Sequence, residues 1–536
     1  MDRFQRDLKE KDFIFTFELV PGRSIRTQQF SEILRFIERA PEYDYFSAFS
    51  ITDNAGGHPA LSPVALGRVI KSLDLSAIIH LTCKDKNRNQ LESELLALDR
   101  ENLHNLLVLT GDYPFYGYLG RAKPVFDLDS VLLLQLITEM EKGIEIPKGA
   151  PGGGNRLPPI PFFKGCAVSP FKLTIEELWW QYLKLYRKLK AGARFIITQV
   201  GFSPSTLYQL KLILNEGLTR YFSKRLYDER LHKPEEDSQF KQVPILPSIL
   251  YLQAPLIKAL LKGRIPGILL GRRVWKRFKE VGFSEEVALE VCAKLTVIYQ
   301  RMGFKGVHLC GFPPNWELLK RFFELYHRLH EEVKNKEEVY YELLTEFDDY
   351  IVFEDNGYLI EKNLANIDKP LPKKRFSFSY SINNFFHNLF FSRKSPFYST
   401  FLKFFTWVSK KRALEKFFST LEYAIKRPLF NCHECGDCTL WDFNYICPQS
   451  QCAKYILNGA CGGSINSFCE VYPYKKVCLY VRVLRQGEPR EFMKGYLAKD
   501  PPYLPPRDWS LYRTSSWINF YLKRGHFKDE DRGGRN

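Results

Sequence analysis

From residue 13 to about residue 311 the chain alternates short apolar runs with longer amphipathic stretches. The runs are Phe13–Val20, Tyr45–Asp53, Ala77–Cys83, Asn105–Asp112, Phe162–Pro170, Phe195–Gly201, Val243–Leu250 and Val307–Gly311. They are apolar on both faces, as strands of a parallel sheet covered on both sides must be. Between them apolar positions recur at helical spacing, as in Phe30, Ile33, Leu34 and Ile37, or Leu178, Tyr182, Leu185 and Leu189. Eight such units predict an α/β fold, a (β/α)8 TIM barrel. A doubly wound sheet is the alternative, but no glycine-rich turn follows the first strand.

Polar residues sit where the predicted strands end: Glu18, Thr52, Asp53, His80, Thr82, Asp112, Gln199 and His308. In a barrel these ends face the active-site mouth. The segment PKGAPGGGNRLPPIP (Pro147–Pro161) looks like a phosphate loop only on the surface, because prolines follow and no Gly-Lys-Ser/Thr appears. It reads as a flexible insertion between units. A second, charged insertion spans Glu229–Lys241. Charged residues from Glu331 to Glu346 and at Pro370–Arg375 mark a passage to a second domain. Phenylalanine is frequent from Phe376 to Phe418, where Phe401, Phe404, Phe405 and Val408 have helical spacing beside Lys403, Lys410 and Lys411. That predicts a helix packed on the barrel or on the cysteines, with a partner or membrane-surface helix as the alternative. The expected domains are a barrel over 1–330, a linker over 331–375, a cysteine-rich α+β domain over 376–526 and a charged tail over 527–536.

Composition adds two facts. The net charge is +17, but it is spread along the chain and comes with no nucleic-acid motif, so no nucleic-acid partner is expected. Eight of the twelve cysteines fall within 47 residues as C-x2-C-x2-C-x8-C-x4-C-x8-C-x7-C-x8-C: Cys432, Cys435, Cys438, Cys447, Cys452, Cys461, Cys469 and Cys478. Three close thiolates and one remote one suit a 4Fe–4S cluster, and C-x2-C pairs also build zinc sites. Two clusters, one cluster and a zinc, or two zincs all remain open. Cys83, Cys166, Cys292 and Cys310 stand alone and read as core packing. With no secretory h-region and no apolar run of membrane-spanning length, a cytoplasmic location is expected.

Several strand ends carry strings that resemble methylenetetrahydrofolate reductase: FTFELVP with Glu18, SITDN (Ser50–Asn54), HLTC (His80–Cys83), LTGD ending at Asp112, AKP (Ala122–Pro124), DLDSV, AVSP (Ala167–Pro170), RKLKAGARFIITQ ending at Gln199, and GVHL (Gly306–Leu309). Their order over the barrel gives the resemblance its specificity. It implies Glu18 as the general acid that opens the folate's methylene bridge, Asp112 near the flavin and the pterin, and Gln199 on the folate. It implies flavin contacts at Thr52, His80, Asp129 and Lys188. Thr110 stands where many members have an arginine that touches the flavin, so FAD and FMN both stay open.

The strings CGDC, CPQSQCAK, NGACGGS, CEV and TSSWINF resemble the C-terminal domain of long reductases of this family, which also occurs as a separate subunit in acetogen-type enzymes. There the module is associated with zinc or iron–sulfur and with electron delivery. The expected activity is flavin-dependent reduction of 5,10-methylenetetrahydrofolate to 5-methyltetrahydrofolate in one-carbon and methionine metabolism. Electrons would come from NAD(P)H, or through the module from a ferredoxin or oxidoreductase partner, and a homo-oligomer is expected. The alternative is a folate- or corrinoid-linked binding or methyl-transfer protein without reductase activity.

Overall fold

The computed structural model describes residues 2–146, 148–149, 152–262, 264–265, 267–347, 378–499 and 502–529. Its centre is an all-parallel sheet of nine strands: β1 (Ile14–Leu19), β2 (Ala48–Ile51), β3 (Ala77–Thr82), β4 (Asn105–Leu109), β5 (Phe163–Val168), β6 (Phe195–Thr198), β7 (Ile245–Leu246), β8 (Ser248–Leu250) and β9 (Gly306–Cys310). The order runs β7-β6-β5-β4-β3-β2-β1-β9-β8. The two ends of that order are halves of one run, 245–250, parted by Pro247. Proline has no N–H for the ladder. β7 pairs with β6, Pro247 accepts a bond from the His308 N–H at 2.8 Å, and β8 pairs with β9. The chain thus changes partner at the proline and closes the expected eight-unit barrel.

The N-terminal end of the barrel is plugged. Helix α1 (Arg3–Glu10) is capped by Asp2 and drives Phe4 and Leu8 against Ile14, Ala48, Ile78, Leu107, Phe195 and Leu246. Glu18, Asp112 and Gln199 stand at the opposite end.

Three outer helices tie later parts of the chain to the barrel: α2 (Ser130–Lys142), α3 (Ile175–Lys190) and α4 (Glu285–Arg301). An outer barrel helix ordinarily buries one stripe and wets the other. On α3, every residue from Glu177 to Leu189 is buried. Leu178, Tyr182, Leu185 and Leu189 are buried in the hydrophobic core, as their spacing predicts. The other face is covered by the C-terminal region. Trp180 donates its indole N–H to the Tyr480 carbonyl at 2.7 Å and meets Tyr480, Phe492 and Tyr496 edge-on. One continuous core therefore runs from the barrel into residues 443–504.

The barrel's helical layer continues past residue 330. Helix α5 (Trp316–Asn335) is followed by α6 (Glu337–Thr345), whose Leu343 is buried, and Glu346 pairs with Lys294 of α4 at 2.8 Å. Charge alone reads these residues as linker; their few apolar positions pack them onto the barrel instead. The charged run Pro370–Arg375 and most of the tail lie outside the described residues. Of the 147–161 segment, the described residues 152–161 return to the end of α2. An antiparallel bridge joins Glu145 to Arg156, and Leu157 donates to Ile144. Glu229–Lys241 is also structured, since Asp237 is buried and accepts from the Thr219 backbone at 2.9 Å.

The C-terminal region is mainly helical, with a small β content. Helices α7 (Phe378–Phe390), α8 (Tyr398–Val408) and α9 (Arg412–Phe430) precede the cysteines; α10 (Leu479–Gln486), α11 (Pro489–Leu497) and α12 (Ser516–Tyr521) follow them. Its β content among the described residues is two isolated bridges, Ile465–Phe468 and Phe468–Val477. Cysteines spaced three to nine residues apart lie in the loops between these helices. Phe405 and Val408 are buried against Ile518 and Tyr521, which matches the expected packing of α8 on the cysteine-rich region. No helix of the described residues is long and apolar enough to cross a membrane.

Replacing Trp180 removes a large buried side chain and orphans a carbonyl. Trp180→Ala is expected to cost about 3–5 kcal/mol and to loosen the C-terminal region first. Urea unfolding with limited proteolysis checks this; unchanged cleavage after residue 377 would contradict it.

Candidate functional site

Glu18 lies at the end of β1, in register with Ser50 on β2. Its carboxyl is enclosed by the barrel rim, and burial pushes its pKa up to about 7 against one opposing bond from the Gly311 N–H. In-register pairing of Thr16 with His308 puts Glu18 beside Cys310 on the next strand. One oxygen of Glu18, one ring nitrogen of His308 and the Cys310 sulfur lie within 4.8 Å of one another, the only such trio among the described residues. Cys310 is buried, as core packing predicts, but it also borders the acid. Cys83, Cys166 and Cys292 are buried in the hydrophobic core as expected.

Other predicted residues gather at the same end. His80 is buried and bonds Ser50 Oγ through Nε2 at 2.7 Å; burial lowers its pKa to about 4, so it is neutral. Thr52 is buried with a hydroxyl that has no partner among the described residues. Asp112 is exposed beyond β4 and accepts from the Gly56 N–H at 2.8 Å. Gln199 follows β6, half-buried, with Oε1 accepting from the Val200 N–H.

Asp129 and Lys188 are placed differently. Asp129 caps α2, one oxygen accepting from Val131 and Leu132 N–H groups, while the other accepts from the Leu457 and Asn458 N–H groups at 3.0 and 2.8 Å. Lys188 is buried on α3 and donates to the Ala167 carbonyl; burial lowers its pKa to about 8. Both are committed to the protein's own backbone. Residues 454–464 form a strap over this side of the mouth, and lysines that sequence reasoning did not single out hold it. Lys454 donates to the Gly111 carbonyl at 2.7 Å and pairs with Glu470. Lys184 donates to Gly459, and Lys172 to Gly462 and Ser464. The strap tip reaches Gly267, where an added Cβ would lie 3.3 Å from the Gly462 oxygen and 3.5 Å from Gln199 Nε2. Lysines in the strings CPQSQCAK and AVSPFK were the available signal, but their partners are backbone carbonyls, which carry no sequence signature.

The eight cysteines fall into two groups of four. Cys432, Cys435, Cys438 and Cys447 line one small cavity. Arg507 lies 3.3 Å from the Cys435 sulfur and Lys426 3.6 Å from that of Cys438. Burial, then the neighbouring sulfurs, push the Cys432 thiol up to about 12. Cys452, Cys461, Cys469 and Cys478 form the second group at the strap: burial raises the Cys478 pKa most, and the other three sulfurs add to it. Lys172 and Lys454 both act on Cys461. Cations beside each group suit thiolate ligands. In neither group do three sulfurs come within 4.8 Å, whereas a zinc tetrahedron with Zn–S bonds of ~2.3 Å would hold them roughly 3.8 Å apart.

Residues 3–217 match the family model of methylenetetrahydrofolate reductase, and residues 411–510 match the model described as methylene-tetrahydrofolate reductase C terminal. No curated protein matches the chain. Similar solved structures include an uncharacterized Clostridium thermocellum protein that binds two copies of 5-methyl-5,6,7,8-tetrahydrofolic acid (13% identity, 61% of this chain and 98% of that one, TM-score 0.40). Another is EDTA monooxygenase from Chelativorans sp. BNC1 (11% identity, 60% and 94% covered, TM-score 0.36).

Asp129 supplies charge-assisted acceptors to two strap N–H groups. Asp129→Ala is expected to cost about 2–4 kcal/mol and to speed hydrogen exchange at Leu457 and Asn458 well above that of neighbouring amides. Unchanged exchange there would remove Asp129 from the anchoring of the strap.

Proposed function

We propose that this chain, a methylenetetrahydrofolate reductase domain joined to that family's C-terminal domain, reduces 5,10-methylenetetrahydrofolate to 5-methyltetrahydrofolate at the barrel mouth. The observation that carries the reading is Glu18: a carboxyl at the end of β1, enclosed so that it holds its proton up to about pH 7. A group with that pKa can donate a proton at neutral pH and take it back. Glu18 would protonate N10, the nitrogen outside the pterin ring whose bond to the methylene carbon breaks, leaving that carbon on N5 as the iminium that takes the hydride. Gln199, across the barrel, offers a neutral amide to the pterin, and Asp112 an acceptor from the exposed side. His80, held neutral, bonds Ser50 and adds no charge near the reacting carbon.

A flavin bound at the mouth would supply the hydride. The Thr52 hydroxyl, unpartnered, and His80 and Asp112 are the residues that would hold it. With Asp129 and Lys188 turned to the backbone and Thr110 in place of arginine, the strap side offers little to a flavin's distal half. That favours FMN over FAD. We assign the two four-cysteine groups to metal sites, each with four sulfurs gathered and cations beside them, and read them as iron–sulfur clusters because that gives the C-terminal region a redox role. Electrons would then enter through the C-terminal region from a ferredoxin or oxidoreductase partner rather than from NAD(P)H.

A second reading, folate-linked methyl transfer without reduction, is favoured by the Glu18–His308–Cys310 trio, an O, N and S donor set that zinc accepts. The two readings part cleanly. Anaerobic addition of 5-methyltetrahydrofolate should bleach a flavin band. A zinc-loaded chain with no flavin would sink the reductase reading.

Glu18→Gln is expected to abolish folate turnover while flavin stays bound. In the wild type the rate should fall as pH rises through about 7, where Glu18 loses its proton. A profile flat from pH 6 to 9 would take Glu18 out of the acid role.

A further inference from the structure

Helices α7, α8 and α9 pack inward on Ile518 and Tyr521 with only part of their surface. On α9 the inward face is Ser419, Glu422, Tyr423 and Lys426. Its opposite face carries Phe417, Leu421, Ile425 and Leu429, an apolar stripe at four-residue spacing, with Phe417 59% and Leu429 65% exposed. Phe385 and Phe386 on α7 and Phe404 and Trp407 on α8 are exposed as well. Between these helices runs a groove of about 1420 Å³ lined by Phe386, Phe404, Ile425 and Leu429. Soluble surfaces scatter such residues singly; a contiguous set marks a contact face.

The charges on this face have one sign. From residue 380 to residue 430 every exposed charged side chain is a cation, among them Arg393, Lys394, Lys403, Lys410, Lys411 and Lys416. The two carboxylates in the stretch are turned away: Glu422 is buried against Lys426, and Glu415 meets Arg524. Lys411 holds its ammonium 4.2 Å from the Trp407 ring centre. A second copy of the chain docked on this face would set cations against cations, which opposes self-association. An anionic surface meets no such cost.

We propose that α7–α9 form a membrane-surface contact, which lays its aromatic and aliphatic side chains into the headgroup boundary of an anionic bilayer while the flanking cations meet lipid phosphates. The composition is that of interfacial helices, with Phe, Trp and Leu on one side and Lys and Arg around them. The groove also borders Cys438 of the first cysteine group, so this contact sets the distal cysteine site, not the barrel mouth, next to the bilayer. The contact is independent of the reaction assigned to the barrel.

The test is sedimentation of the full chain with phosphatidylcholine vesicles, with and without phosphatidylglycerol. Anionic vesicles should carry down roughly tenfold more protein, and added salt should weaken the binding. Phe417→Ser/Leu421→Ser and Lys410→Glu/Lys411→Glu should each lose most of it. All four side chains are exposed, so the unfolding midpoint should stay put and serves as the folding control. Equal sedimentation with both vesicle types would overturn the proposal, as would wild-type binding by both variants. A dimer that dissociates in Phe417→Ser/Leu421→Ser, without vesicle binding, would assign the face to self-association. Salt-sensitive capture by an acidic protein, without vesicle binding, would assign it to a protein partner; either result overturns the bilayer contact.

Discussion

The molecule depends on the outward face of α3. Trp180, Gln181, Lys184 and Arg187 all point away from the barrel and donate to backbone carbonyls of the C-terminal region, at Tyr480, Ala460, Gly459 and Pro502. Buried cations are costly unless their donors find acceptors. Among the described residues no carboxylate pairs with Lys184 or Arg187, and main-chain oxygens accept from them instead, with the Tyr496 ring 4.6 Å from the Arg187 guanidinium. Carbonyls can be held this way only by a chain fixed in place. The barrel therefore fixes the strap, and the strap fixes the second cysteine group. Remove the C-terminal region and α3 is left with a polar, cationic outer face and an exposed tryptophan.

The same arrangement divides the barrel mouth. On the β4–β6 side, Asp129, Lys454, Lys184 and Lys172 pin the strap down. On the β1–β3 side Glu18, Ser50, Thr52 and His80 are left with an unanswered hydroxyl and a carboxyl that burial keeps near neutrality. A low-dielectric wall on one side raises the Glu18 pKa without a nearby carboxylate to do it. The acid's tuning is thus a packing effect of the closed barrel, with α1 sealing its other end.

Much of this was legible in the sequence. All eight strand runs are strands of the barrel, because strands buried on both faces must be apolar throughout. Pro247 inside the seventh run gave no hint of a partner switch, since a proline reads only as a missing donor. The strand-end residues Glu18, Thr52 and His80 were found because barrel topology sends strand ends to one place. Asp129 and Lys188 were drawn to the mouth by resemblance, and the structure gives their polar atoms to main-chain partners. Those partners lie more than three hundred residues away in the case of Asp129 and are backbone atoms, which no residue pattern records. The density of the eight cysteines raised the expectation of a metal, but their division into 432–447 and 452–478 needed the fold.

That division puts the two groups in different places on the fold. The second group sits where Lys172 and Lys454 meet both the strap and the barrel's strand ends, with Lys454 bonded to Gly111 one residue before Asp112. The first group lies farther out, between α9 and Arg507. Cations stand beside both groups, Arg507 and Lys426 at the first and Lys172 and Lys454 at the second, and they offset the negative charge of four thiolates gathered round a metal. The α3 contacts hold the strap, and with it the second group, fixed against the barrel rather than on a free loop.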